Sequence, residues 1–173
     1  MLRWLWLSVA VIVLDIATKL WAEASLVPYI SQTVIPFFDL TLMYNKGAAF
    51  SFLSDQGGWQ RWFLTTVAAV VTIVLVRWLA MLKSHEWLVA VALSLVIGGA
   101  VGNLIDRVSY GHVIDFIDVY YVAGSCLPFF AALPIAGAVQ CHWPAFNIAD
   151  SAISVGVVVM LVDAFFGEQG EER

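Results

Sequence analysis

Charge is what this chain has least of. Only 12% of its 173 residues are Asp, Glu, Lys or Arg, where a water-soluble domain carries about a quarter. That shortage excludes an ordinary soluble fold, because 62% of the residues are hydrophobic, with eight Trp and eleven Phe among them. Positive charge is scarcer still: eight Lys and Arg stand against thirteen Asp and Glu, a formal net charge of −5. The basic residues fall singly, which excludes nucleic acid as a partner and leaves no polybasic lipid anchor. Cysteine is nearly missing too. The two present, Cys126 and Cys141, form no CxxC and no His/Cys cluster of the kind that holds zinc. They read either as two free thiols or as a disulfide facing an oxidising compartment. No internal repeat or low-complexity tract occurs, and the length fits one domain over residues 1–173.

What is present in quantity is long apolar runs. A helix crosses the hydrocarbon core in about 20 residues, since every backbone polar group must be bonded internally. Four runs qualify, over residues 4–22, 62–82, 87–105 and 146–166. The first could be a cleaved signal peptide, with Arg3, an apolar run and Ala22-Glu23-Ala24 as a cleavage-like site. Asp15 and Lys19 interrupt it too early for that, and the two stand one helical turn apart, where an acid pairs well with a base. The link between the second and third spans is short, whereas residues 23–61 and 106–145 are long and mixed. Four spans put both long segments on one side and both termini on the other. Lys and Arg divide evenly between the sides, Arg3, Arg77, Lys83 and Arg173 against Lys19, Lys46, Arg61 and Arg107. Lys19, Lys46 and Arg107 lie in dense polar motifs, and discounting them places the termini in the cytoplasm. Residues 33–44 are rich in β-formers and read as a small extracytoplasmic sheet or cradle. Residues 45–52 read as a turn followed by an apolar stretch, and 167–173 as a frayed tail. The expected fold is therefore an all-α membrane protein of four transmembrane helices, with a small extracytoplasmic β-cradle and a long extracytoplasmic loop.

Ionisable side chains in or beside membrane helices are costly and mark function. Asp163 lies near the cytoplasmic end of the fourth span, where a solvated carboxylate costs little. The remaining candidates converge on the long-loop side: Asp15 and Lys19 from span one, Asn103, Asp106 and Arg107 from span three, Asn147 and Asp150 from span four. Asp15 has Lys19 nearby and Asp106 has Arg107, so both acids have a local cation to pair with. Asp115 and Asp150 have apolar sequence neighbours instead. Two carboxylates that meet within a few ångströms cannot both ionise, and they share a proton. One can then take a proton from water while the other polarises a carbonyl, as in aspartic proteases, with no metal or cofactor required.

The blocks Asp15-Ile-Ala-Thr-Lys19, Asn45-Lys-Gly-Ala-Ala-Phe-Ser51, Gly98-Gly-Ala-Val-Gly-Asn-Leu-Ile-Asp-Arg107, Gly111-His-Val-Ile-Asp-Phe116 and Phe146-Asn-Ile-Ala-Asp-Ser-Ala-Ile153 occur in one order across most of the chain. Together they resemble the signature set of bacterial lipoprotein signal peptidase, also called signal peptidase II. The resemblance implies a four-span inner-membrane aspartic endopeptidase, monomeric, that needs no cofactor. Its substrate would be a diacylglyceryl-modified prolipoprotein, met within membrane lipid and cut just before the lipidated cysteine. Asp115 and Asp150 match the family's catalytic pair. Asn103, Arg107 and Asn147 match positions that order substrate and dyad, and Asp15, Lys19 and Asn45 match positions that shape the pocket and support the fold, with Asp106 in the same polar network.

Residues 117–145 form a longer stretch than the family usually carries, and they suggest an extracytoplasmic flap closed by a Cys126–Cys141 disulfide. His142 within it reads as an ordinary loop histidine. Gly98, Gly99 and Gly102 would allow close backbone approach, by substrate or by a neighbouring helix. Two rival functions stand beside the peptidase. A proton-coupled transporter would want an inverted repeat or broken helices, which are absent from the sequence. A non-catalytic scaffold would use the same acids only to pair helices.

Overall fold

The computed structural model describes residues 1–47 and 59–166. The apolar stretch expected over 48–52 and the tail expected over 167–173 lie outside the described residues. Among the described residues, four helices are long and apolar enough to cross a membrane. They are α1, Leu5–Ser25, α2, Trp59–Met81, α3, Trp87–Ser109, and α4, Ile148–Phe166. These follow the four apolar runs to within about three residues at each end, except that α3 runs on to Ser109 and so carries Asp106 and Arg107 inside the helix. Polarity is distributed as lipid demands. Ser8, Asp15, Asn103 and Asp106 are buried, while Val70, Ile73, Val74, Val158 and Leu161 are exposed. In hydrocarbon the polar groups must find partners inside the protein, and apolar side chains lose nothing by facing outward.

The chain forms two compact units. The first comprises Met1–Ile16, Thr65–Ser109 and Ile148–Arg173. Within it α3 lies along α4, and Leu79, Ala90, Leu93 and Ile97 form a buried apolar cluster. Close approach depends on glycine. A Cβ at Gly99 would overlap the Ala149 carbonyl oxygen of α4, and one at Gly102 would stand 2.6 Å from Asp15 Oδ2. Of the two uses expected for these glycines, helix packing accounts for their contacts.

The second unit, Ala17–Leu64 and Tyr110–Asn147, holds an antiparallel sheet. Its strands are β1, Gln32–Ile35, β2, Phe38–Asn45, β3, Val113–Ala123, β4, Ala131–Ile135, and β5, Ala138–His142, in the order β1-β2-β3-β5-β4. The expected cradle over 33–44 corresponds to β1 and β2. The expected long loop does not exist as a loop. Residues 117–145 contain most of β3 and the whole β4–β5 hairpin, so the all-α description is corrected to helices plus a five-stranded sheet. The reason is the backbone's need for partners. β3 pairs with β2 through Phe38↔Val119 to Asn45↔Val113, and its far end pairs with β5 through Tyr120↔His142 to Ala123↔Val139. Gly137, with φ of 77°, turns the chain between β4 and β5. Pro134 is tolerated because β4 is an edge strand.

Cys126 and Cys141 are joined as a disulfide across 15 positions of sequence, as the flap reading expects. A loop of that length constrains the unfolded chain by about 3 kcal/mol. Cys126→Ser is therefore expected to loosen the hairpin, seen as faster amide exchange over residues 124–142. Unchanged exchange would mean that β3–β5 pairing alone orders the segment.

Candidate active site

Asp115 sits within β3 opposite Met43 of β2, two residues from the Asn45↔Val113 pair. It is only 2% exposed. Two side-chain amides hold it. Asn45 Nδ2 donates to Asp115 Oδ2 at 3.1 Å, and Asn147 Nδ2 donates to Oδ1 at 2.8 Å. Each amide is itself oriented. Asn45 Oδ1 accepts the Gly47 N–H at 3.0 Å, which turns its NH₂ toward the carboxylate. Asn147, wholly buried, also donates to the Ile114 carbonyl at 3.2 Å. The residue before it is locked to β3: Phe146 O accepts from Phe116 and Ile117 N–H, and Phe146 N–H donates to Ile117 O. Beside Asn45, the Tyr44 ring meets His112 edge-on at 4.6 Å. Burial, and then the Glu23 carboxylate, push the Tyr44 phenol above its ordinary value, so it stays neutral.

Asp150 belongs to the first unit. It lies in the first turn of α4, where a carboxylate suits the positive end of the helix dipole. Asn103 Nδ2 of α3 donates to Asp150 Oδ1 at 2.8 Å. One turn further along α3, Arg107 Nη1 donates to the Asn103 carbonyl at 3.3 Å. The buried Asp15 of α1 accepts the Ala149 N–H on its Oδ1 at 2.9 Å. That N–H is one of the orphan donors of the first helical turn, so Asp15 caps α4 from another helix. Lys19 and Asp106 are buried as well. Each aspartate accepts from uncharged side-chain amides, Asp115 from Asn45 and Asn147 and Asp150 from Asn103. A carboxylate held this way can serve as a general base or acid toward water.

Several groups escaped sequence reasoning. The Ala149 N–H is a backbone donor and leaves no mark on residue type. His142, expected in a loop, is instead a buried strand residue whose Nδ1 lies 2.8 Å from Asp118 Oδ1. Asp39, Asp118 and His142 offer ligand atoms within 4.8 Å of one another and could hold a metal. Asp118 lies three positions beyond Asp115, hence on the opposite face of β3 by the strand's two-residue period.

Comparison with known proteins agrees with this architecture. The family profile described as Signal peptidase (SPase) II matches residues 7–166. A lipoprotein signal peptidase of Pseudomonas putida is 48% identical over 99% of this chain and 91% of its own length. One from Acinetobacter baumannii is 47% identical over 97% of this chain and 86% of its own. Two solved structures, each described as a bacterial membrane enzyme, superpose with TM-scores of 0.75 and 0.72 at 29% and 30% identity. They cover 99% and 95% of this chain, and 92% and 93% of theirs.

Proposed function

The chain belongs to the signal peptidase II family of lipoprotein signal peptidases, and from that premise we propose that Asp115 and Asp150 form the water-activating pair of an aspartic endopeptidase. It is a multi-pass membrane hydrolase. The bond cut is the one just before a diacylglyceryl-modified cysteine of a prolipoprotein. The observation that carries the reading is the hold on the two acids. Asn147 grips Asp115, and only three residues later the chain presents Asp150, gripped by Asn103. Asn45 and Arg107 complete the order around them. Asp15 and Lys19, with Asp106, support the frame rather than the chemistry.

Water attack then follows aspartic-protease logic. One carboxylate removes a proton from water as it adds to the scissile carbonyl. The protonated partner donates to the carbonyl oxygen, and the proton passes to the leaving amine as the C–N bond breaks. The peptidase acts as a monomeric single domain in the inner membrane, with both termini cytoplasmic and the site at the extracytoplasmic face. The Cys126–Cys141 disulfide in the sheet unit supports that orientation, because such bonds persist in oxidising compartments.

The test uses the full chain in detergent with one prolipoprotein in two forms, its cysteine diacylglycerylated or bare. Each buried lipid methylene contributes about 0.8 kcal/mol, so even partial seating of the acyl chains should favour the lipidated form at least a hundredfold (roughly) in kcat/KM. Mass spectrometry should place the new N-terminus at the modified cysteine. Equal cleavage of both forms would refute lipid recognition, and no cleavage of either would refute the peptidase reading.

A further inference from the structure

The sheet carries a polar cluster that the peptidase chemistry does not use. Asp39 of β2 and Asp118 of β3 are register partners. Tyr120, two residues beyond Asp118, is the partner of His142 on β5. The two-residue strand period therefore places Asp39, Asp118 and His142 on one face of three adjacent strands. All three are more than nine-tenths buried, at 4%, 5% and 7% exposure. Like charges directly opposite on neighbouring strands are destabilising, and burial makes them more so.

The hydrogen bonding leaves part of this cluster unanswered. Thr41 Oγ1 donates to Asp118 Oδ2 at 2.8 Å and lies 2.9 Å from Ser31 Oγ. His142 Nδ1 and Asp118 Oδ1 are 2.8 Å apart. Yet Asp39 Oδ1 and His142 Nε2 are buried without a hydrogen-bond partner among the described residues. A carboxylate oxygen left so, in a cluster where Asp118 faces His142 Nδ1, calls for a ligand. Tyr120 stacks on the imidazole at 5.0 Å, and the disulfided Cys141 is its neighbour in β5, so the ring is held in place.

We propose that Asp39, Asp118 and His142 bind one divalent zinc ion within the sheet, outside the peptidase chemistry. Two carboxylate ligands carry the charge that balances Zn²⁺, and an imidazole adds a neutral nitrogen donor. The donor set of one nitrogen and two oxygens suits zinc and disfavours the oxygen-seeking Mg²⁺ and Ca²⁺. Zinc ligands about 2.1 Å from a common centre stand about 3.4 Å apart, and these ligand atoms already lie within 4.8 Å. His142 Nδ1 and Asp118 Oδ1, 2.8 Å apart, open slightly to take the ion between them while Asp39 closes in, giving three protein ligands with water as the fourth. Thr41 supplies the outer hydrogen bond that orients a ligating carboxylate. The ion ties β2, β3 and β5 together, where the Cys126–Cys141 bond ties β5 only to the β3–β4 connection.

The full chain, purified with its disulfide intact and stripped with chelator, is titrated with Zn²⁺ and desalted before metal analysis. One equivalent should be retained, and Asp39→Asn and His142→Gln should each weaken binding about a hundredfold or more. X-ray absorption on the zinc-loaded wild-type chain should show one imidazole and otherwise oxygen donors, a readout independent of how the variants fold. Absence of bound zinc in the wild type would overturn the proposal. So would unchanged affinity in both variants, or a first shell without histidine.

Discussion

Replacing Asp150 by Asn is expected to lower turnover of lipidated substrate by at least about a thousandfold with the chain still folded. An Asn at this position removes the charge while it can preserve the bond to Asn103. Asn103 donates to one of its oxygens, and an Asn at 150 can turn its amide oxygen toward that donor and keep the bond. It cannot take up a proton or share one. Asp115→Asn should abolish turnover equally but at a cost in stability. Both oxygens of Asp115 accept amide hydrogens, one from Asn45 and one from Asn147. An Asn there must set one NH₂ against another, an unmet buried donor worth about 1–3 kcal/mol. Single-turnover rates and thermal melts in the same detergent read the two effects. Wild-type rates in either variant would remove that aspartate from the chemistry, and a rate loss that merely tracked the folded fraction would favour a scaffold.

The helices were legible because lipid imposes a simple rule, and the runs at 4–22, 62–82, 87–105 and 146–166 obey it. The sheet was legible only where one face is buried. In β2, Asp39, Thr41 and Leu42 are buried beside half-exposed neighbours, and the pattern shows as β-formers over 33–44. β4 is exposed along its whole length, so it carries no alternation. Gly124, Pro128, Pro134 and Gly137 add turn signals that read as loop. Its pairing with β5, and β5 with β3, is set by contacts across the chain that residue order conceals. The site divides in the same way. Asp115 and Asp150 stood out by their apolar sequence neighbours and their motifs. Asp15 was read beside Lys19, four positions away, whereas its carboxylate also caps α4 at Ala149, 134 positions on. The Asp39, Asp118 and His142 cluster follows from strand register alone, and no spacing rule for metal ligands reaches it.

Gly99→Ala is expected to damage both stability and turnover, more than any other single methyl added to α3. The new Cβ would overlap the Ala149 carbonyl oxygen and stand 2.7 Å from Ile153 Cγ1. The first obstacle is backbone, which cannot rotate away, so α3 and α4 must separate. Overpacking of this kind costs about 1–3 kcal/mol. The displaced backbone is that of Ala149, whose N–H is bonded to Asp15 and whose successor is Asp150. A shift there moves Asp150 off the line set by Asn103, and misplacement by about 1 Å costs about a hundredfold in rate. Gly156→Ala supplies the comparison. Its Cβ would meet Ala92 O and Val96 Cγ2, each at 2.7 Å, on the same helix pair but about 1.7 turns along α4 from Asp150. It should lose comparable stability while each folded molecule keeps most of its turnover. Melting temperatures and initial rates per folded enzyme separate the two. Equal rate losses in both variants would mean that helix spacing as a whole, and not the Gly99–Ala149 contact, sets the position of Asp150.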